Sequence, residues 1–194
     1  MKFSSRVGRR SMNWFGLVAG PLMILLPFLG FWWNLRIGTG AVDLSFSPFN
    51  FRLMALEQPI SSPLIRFICL GATLTLVISG IFLILASLYP KRWWSRRLLK
   101  FGATKLLWMW VGFLVLLLAL SLLGNFLAGK VPELRGFSLP YLSGSSTAVL
   151  EMENTTITLP LRMSLGWPFF FALVPAVLGV LARIYHRRFS SPEE

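Results

Sequence analysis

Four long apolar runs divide the chain: Met12–Leu35, Phe67–Tyr89, Leu106–Ala128 and Trp167–Tyr185. Each comes near the roughly 20 residues of helix that cross about 30 Å of hydrocarbon. In lipid, a lone segment satisfies its own backbone over that distance only as a helix. The pattern predicts an all-α membrane fold with four transmembrane helices in one integral domain, 1–194. Residues 1–11 form a tail, 36–66 a first loop, 90–105 a central loop, 129–166 a second loop and 186–194 a second tail.

The first and second loops show a different rhythm. The first contains "VDLSFSPFNFRLMAL", Val42–Leu56, and the second contains "AVLEMENTTITLPLRMSL", Ala148–Leu165. Both alternate in part, at Leu44, Phe46 and Pro48 and at Thr156, Thr158 and Pro160, as strands do. Isolated strand pairs are marginal in water. The two loops, on one face of the membrane, are therefore expected to combine into one small sheet over the helix ends.

One short pattern occurs twice. "ILASLYPKRW" closes the second run and "VLARIYHRRF" closes the fourth. Alignment on Tyr89 and Tyr185 pairs Leu85 with Leu181, Ala86 with Ala182, Arg92 with Arg188 and Trp93 with Phe189. Each half then reads helix, β-prone loop, helix, basic-aromatic anchor. This suggests a parallel duplication about an axis along the membrane normal. The alternative reading is ordinary interfacial chemistry arising twice.

Composition agrees with a bilayer. The 194 residues are 55% hydrophobic and 13% charged, with a mean hydropathy of +0.68; a soluble domain needs more charge on its surface. The net charge is +12, and its placement is informative. Of 19 Lys and Arg, 13 fall in the two tails, the central loop and the end of the fourth run, against 6 in the other loops and their flanks. The positive-inside rule puts both termini and the central loop in the cytoplasm of an integral cell-membrane protein. Five of the seven acids (Asp43, Glu57, Glu133, Glu151 and Glu153) lie in the two outside loops. The first run lacks a small-x-small cleavage site after its core, so it is expected to be retained as a helix.

The chemistry available is sparse. The interior polar residues of the runs are Thr73, Thr75, Ser79, Ser121 and Asn125, and no Asp, Glu, His, Lys or Arg sits at mid-span. A buried charge would mark an ion or substrate path. The lone Cys69 excludes an internal disulfide and a cysteine-based metal cluster. The lone His186 excludes bis-histidine haem within this chain, and beside arginines it is expected to be solvated. Glu151 and Glu153 are at strand spacing, a weak cation site more readily read as loop solubilisation. No phosphate loop, catalytic triad or HExxH pattern occurs, and no nucleic-acid module appears. The expectation is a non-enzyme without metal or cofactor.

Two surface features remain. Lys91, Arg92, Trp93, Trp94, Arg96 and Arg97 in "KRWWSRRLLK" form a basic-aromatic cluster suited to anionic lipid headgroups, or simply to anchoring at the interface. Asn154-Thr155-Thr156 is an N-x-T sequon on the outside, which makes Asn154 a candidate glycosylation site. Small residues on the second and fourth runs (Gly71, Ala72, Gly80, Ala172, Ala176 and Gly179) allow close helix packing. The third run is mostly large, a surface for lipid or a broad partner helix.

The order helix, β-prone outside loop, helix, short inside loop, helix, β-prone outside loop, helix resembles the claudin-like four-helix proteins. That resemblance implies assembly through outside strands. It is one of topology, and it implies no residue roles, because the first loop contains neither the Trp nor the Cys pair of that family's signature. The residues point to a non-catalytic accessory or scaffold subunit of a larger membrane complex, with other integral membrane subunits as partners. The alternatives are a small transporter or channel built from the repeated halves, with a path along Thr73, Thr75, Ser79, Ser121 and Asn125, or a membrane subunit of a metalloenzyme or respiratory complex whose partners supply the cofactor.

Overall fold

The computed structural model describes residues 12–130, 139–152 and 155–186. Helix α1 (Trp14–Leu25) runs into a 3-10 turn, Leu26–Phe28, and is followed by strands β1 (Trp33–Ile37), β2 (Val42–Phe46), β3 (Phe51–Ala55) and β4 (Gln58–Ile60). Helices α2 (Pro63–Leu88) and α3 (Ser95–Lys130) come next, then β5 (Gly144–Met152), β6 (Thr155–Leu165), α4 (Trp167–Phe171) and α5 (Leu173–His186). Three helical stretches are long and apolar enough to cross a membrane: Pro63–Leu88, Ser95–Lys130 and the α4–α5 rod, Trp167–His186. The fourth, Trp14–Phe28, is apolar but shorter.

The sheet expected of the two loops is present, and the expected helix limits are corrected in two places. The described residues include a six-stranded antiparallel sheet of order β4-β3-β2-β1-β6-β5. Its first strand lies within the run expected to be helix, 12–35. Pro27 offers no N–H to the carbonyl of Met23, and Gly30 takes a left-handed φ of 111°, so the helical ladder stops. Trp33–Leu35 then pair as strand. The central loop, expected over 90–105, is only a turn from Tyr89 to Trp94. Pro90 ends α2, and no proline separates Ser95 from Lys105, so Arg96, Arg97, Lys100 and Lys105 are helical.

The helices form a closed ring in which α1 and α3 each pack against both α2 and α5. The crossings are made by small residues at one level. A Cβ on Gly20 would stand 2.8 Å from the carbonyl oxygen of Gly80, and one on Gly80 would stand 2.8 Å from that of Gly20. A Cβ on Gly102 of α3 would stand 2.7 Å from the Ser79 carbonyl oxygen, and one on Gly179 of α5 2.8 Å from that of Ala103. Gly16 of α1 meets Ala182 of α5 and Ser87 of α2. Backbone contact this close is how helices gain dispersion energy where no hydrophobic effect drives them together. Gly71, by contrast, faces open space and is not part of this packing.

At the other end of the ring, β1 pairs with β2 on one side and β6 on the other, Leu35 lying between Leu44 and Met163. The two loops thus form one sheet. Pairing parity gives it two faces. Trp33, Leu35, Phe46, Leu161 and Met163 join the core with Phe113 and Leu117 of α3. Asn34, Arg36, Asp43, Ser45, Arg52, Arg162 and Ser164 share the opposite face. Beneath the sheet, the fully buried Trp32 meets Phe49, Phe113 and Phe169 edge-on at 5.6, 5.2 and 6.0 Å. It locks sheet, α3 and α4 together.

The β3–β4 hairpin turns on Leu56 and Glu57, both with positive φ, 51° and 65°. That pair of conformations normally selects Asn-Gly. The double substitution Leu56→Asn, Glu57→Gly should therefore stabilise the fold by about 1–2 kcal/mol by relieving strain. A higher melting temperature in detergent would show it.

Candidate functional site

The repeated pattern has a repeated job. Ala86 and Ala182, its matched alanines, each accept a side-chain hydrogen bond from the start of another helix: Ser95 Oγ donates to the Ala86 carbonyl at 2.9 Å, and Asn13 Nδ2 donates to that of Ala182 at 2.7 Å. Asn13 also caps α1, accepting from the Gly16 N–H at 3.5 Å, while its own N–H donates to the Ser87 carbonyl at 3.3 Å. The matched tyrosines each meet an aromatic at the same junction. Tyr89 lies against Trp94 at 6.3 Å, and Tyr185 lies edge-on to Phe15 at 5.6 Å. Each half thus clasps the first turn of the other.

His186 belongs to this clasp and is not solvated as expected; it is 2% exposed. The last turn of α5 packs against the start of α3, which brings Nε2 to 3.4 Å from Ser95 Oγ. A hydroxyl has one proton. With that proton on Ala86, His186 Nε2 donates to the serine oxygen.

The basic-aromatic cluster is gathered by the turn that joins α2 to α3. Lys91, Arg92, Trp93, Arg96 and Arg97 are exposed and Trp94 is half-buried against Tyr89. The Arg97 guanidinium sits over the Trp93 ring, 5.4 Å from its centre. Lys105 likewise lies over Phe101 at 4.8 Å, reaching back toward the turn.

The five polar residues of the runs do not converge. Thr73, Thr75 and Ser79 donate to the carbonyls four residues earlier, those of Cys69, Gly71 and Thr75, at 2.9, 2.8 and 2.7 Å. Ser121 and Asn125 instead hold the segment that leads into β5. Asn125 accepts from the Leu139 N–H at 2.6 Å and donates to its carbonyl at 3.0 Å, while Ser121 Oγ lies 3.0 and 2.7 Å from the carbonyls of Pro140 and Tyr141. Trp33 Nε1 adds a bond to the Leu142 carbonyl at 3.2 Å.

Two recesses open at the sheet end. The larger, about 820 Å³, lies between β3, β4 and the first turns of α2 and contains Arg52 and Arg66. The smaller, about 590 Å³, contains Arg162, Ser143, Ser145 and Ser164 beside Phe170. Arg52 of the first loop and Arg162 of the second therefore each line a recess. Arg66 carried no sequence signal, because only the packing of α2 on β3 brings it beside Arg52. Arg36 is engaged otherwise, with Nε 3.5 Å from Asp43 Oδ1. Among the described residues no group of three His, Cys, Asp or Glu could hold a metal ion. Asn154 lies outside the described residues. Both recesses place an arginine beside apolar side chains.

No protein-family model matches the chain, and no curated protein matches it either. The likeness to claudin-like proteins therefore has no family match behind it.

Ser95→Ala removes the bond to Ala86 and leaves His186 facing a methyl group in a buried site. It should lower stability by about 1–3 kcal/mol, visible as a reduced melting temperature in detergent.

Proposed function

We propose that the chain is a non-catalytic, integral-membrane accessory subunit that binds another membrane protein along the outer half of α3. The reading rests on where apolar surface continues beyond the reach of a bilayer. Exposed apolar residues begin at matching levels near the turn end: Trp14 on α1, Leu88 on α2 and Tyr185 on α5. An inner boundary at that level also fits the many Lys and Arg beside it, as positive-inside topology requires with the turn in the cytoplasm. From there, about 20 residues of helix cross the hydrocarbon. The α4–α5 rod is used up at Trp167, an exposed tryptophan suited to an interface.

Helix α3 is much longer. Its 36 residues reach about 54 Å at 1.5 Å per residue. Counting from Ser95, it leaves the hydrocarbon near Val115; Lys105, which falls between them, reaches back over the Phe101 ring toward the basic turn, as a snorkelling lysine does. Yet Leu120, Leu122, Leu123, Phe126 and Leu127 are 46–58% exposed beyond that point. A contiguous apolar face outside the bilayer marks an interaction site. Apolar residues cover this helix on more than one side, as on a helix that sits between protein neighbours. The sheet supplies a rigid platform beside it, and the clasp at the turn end fixes its angle.

The test compares the full-length chain with the Leu123→Arg, Phe126→Arg variant in mild-detergent pull-downs from native membranes. The native chain should retain a stoichiometric integral membrane partner, and the variant should lose it more than tenfold while keeping its own melting temperature. Equal retention by both, or no partner with the native chain, would defeat the reading.

A further inference from the structure

We propose that the recess between β3, β4 and α2 holds one anionic phospholipid of the outer leaflet, its phosphate between Arg52 and Arg66 and an acyl chain along α2. The recess has a polar mouth and an apolar floor. Arg52 and Arg66, both exposed residues, line it together with Ser61, Ser62 and Pro63. Ser62 is the N-cap of α2 and makes no side-chain capping bond. The start of a 26-residue helix thus lies at the edge of the recess, and the positive end of its dipole favours an anion there. No acidic residue lines the recess to compete with one. Further in, the lining is Phe49, Phe51, Leu53, Phe67, Leu70 and Thr73, where apolar side chains predominate.

The depth fits a lipid rather than a soluble phosphate. Arg66 is 22 residues before Leu88, about 33 Å along the helix at 1.5 Å per residue. With the inner boundary near Leu88, Arg66 stands at the outer headgroup layer of a bilayer whose hydrocarbon is about 30 Å thick. Thr73 is about 10 Å deeper, within the outer leaflet. The phosphate-binding groups and the apolar floor are therefore stacked in the order of a phospholipid's own headgroup and tail. Arginine suits this place because its planar fork binds two phosphate oxygens at once. Beside the lining residues on α2, Leu64 and Ile68 are exposed, at 70% and 63%, so a bound lipid would lie next to bulk lipid. This site lies at the opposite end of the helices from the basic turn and does not depend on the subunit reading.

The experiment is native mass spectrometry of the full-length protein in detergent, titrated with phosphatidylglycerol, with phosphatidylcholine and inorganic phosphate as comparisons. Three variants accompany it: Arg52→Gln with Arg66→Gln; Leu70→Trp, which fills the floor without changing charge; and a control with Lys91, Arg92, Arg96 and Arg97 all changed to Gln. The native chain should bind a first phosphatidylglycerol at least tenfold more tightly than phosphatidylcholine. That first adduct should persist in the control and weaken at least tenfold in both groove variants, with melting temperatures without lipid unchanged. Loss of the first adduct only in the control would assign the site to the turn and overturn the proposal. Displacement by inorganic phosphate alone would also overturn it, since a soluble anion would then suffice. A lowered melting temperature in both groove variants makes the groove a packing element and counts against it.

Discussion

The structure depends on close backbone approach at one level of the helix ring. Gly20 and Gly80, Ser79 and Gly102, Ala103 and Gly179, and Gly16 and Ala182 bring all four rods together within the thickness of a few turns. Side chains larger than these would push the helix axes apart, and in lipid no hydrophobic effect between helices would pull them back. The spacing set there reaches both ends. At the turn end, Asn13 and Ser95 arrive beside the carbonyls of Ala182 and Ala86. At the sheet end, the strand leaving α1 and the strand entering α4 arrive side by side, and β1 pairs with β6 over five residues. That pairing joins segments more than 120 positions apart, a non-local contact that pays its loop-closure cost only once the helices are in place.

The architecture divides labour between the ends. The clasp uses the repeated Leu-Ala-x-x-Tyr pattern to tie each half to the other, and the aromatic cluster around Trp32 seals the sheet onto the helices. What is left over is outward-facing: a long apolar face on α3, a basic sheet face with Arg52 and Arg162 exposed, and a basic turn. All of them are suited to binding.

Much of this was legible in the sequence, for identifiable reasons. The apolar runs located the helices because membrane spans are long and strongly marked. The alternation in both loops announced strands, and shared topology suggested that they would pair. The repeat around Tyr89 and Tyr185 was visible as letters, while its purpose needed coordinates, because the donors Asn13 and Ser95 lie elsewhere in the chain. The end of α1 was hidden: a strand whose residues are mostly apolar, "WNLRI", reads as helix when it follows an apolar run. His186 looked solvated among arginines, yet helix packing, which no local pattern encodes, buries it against Ser95. The groove was not legible, since Arg52 and Arg66 come to line one recess only through the packing of α2 on β3.

The most direct test of the subunit account is site-specific photo-crosslinking in native membranes from a probe at Leu123, with a second probe at Ile78 on lipid-facing α2 for comparison. The account predicts a discrete adduct with one other membrane protein from Leu123 and lipid adducts alone from Ile78. Lipid adducts alone from both positions would contradict it, because the outer half of α3 would then be bilayer surface and not an interface.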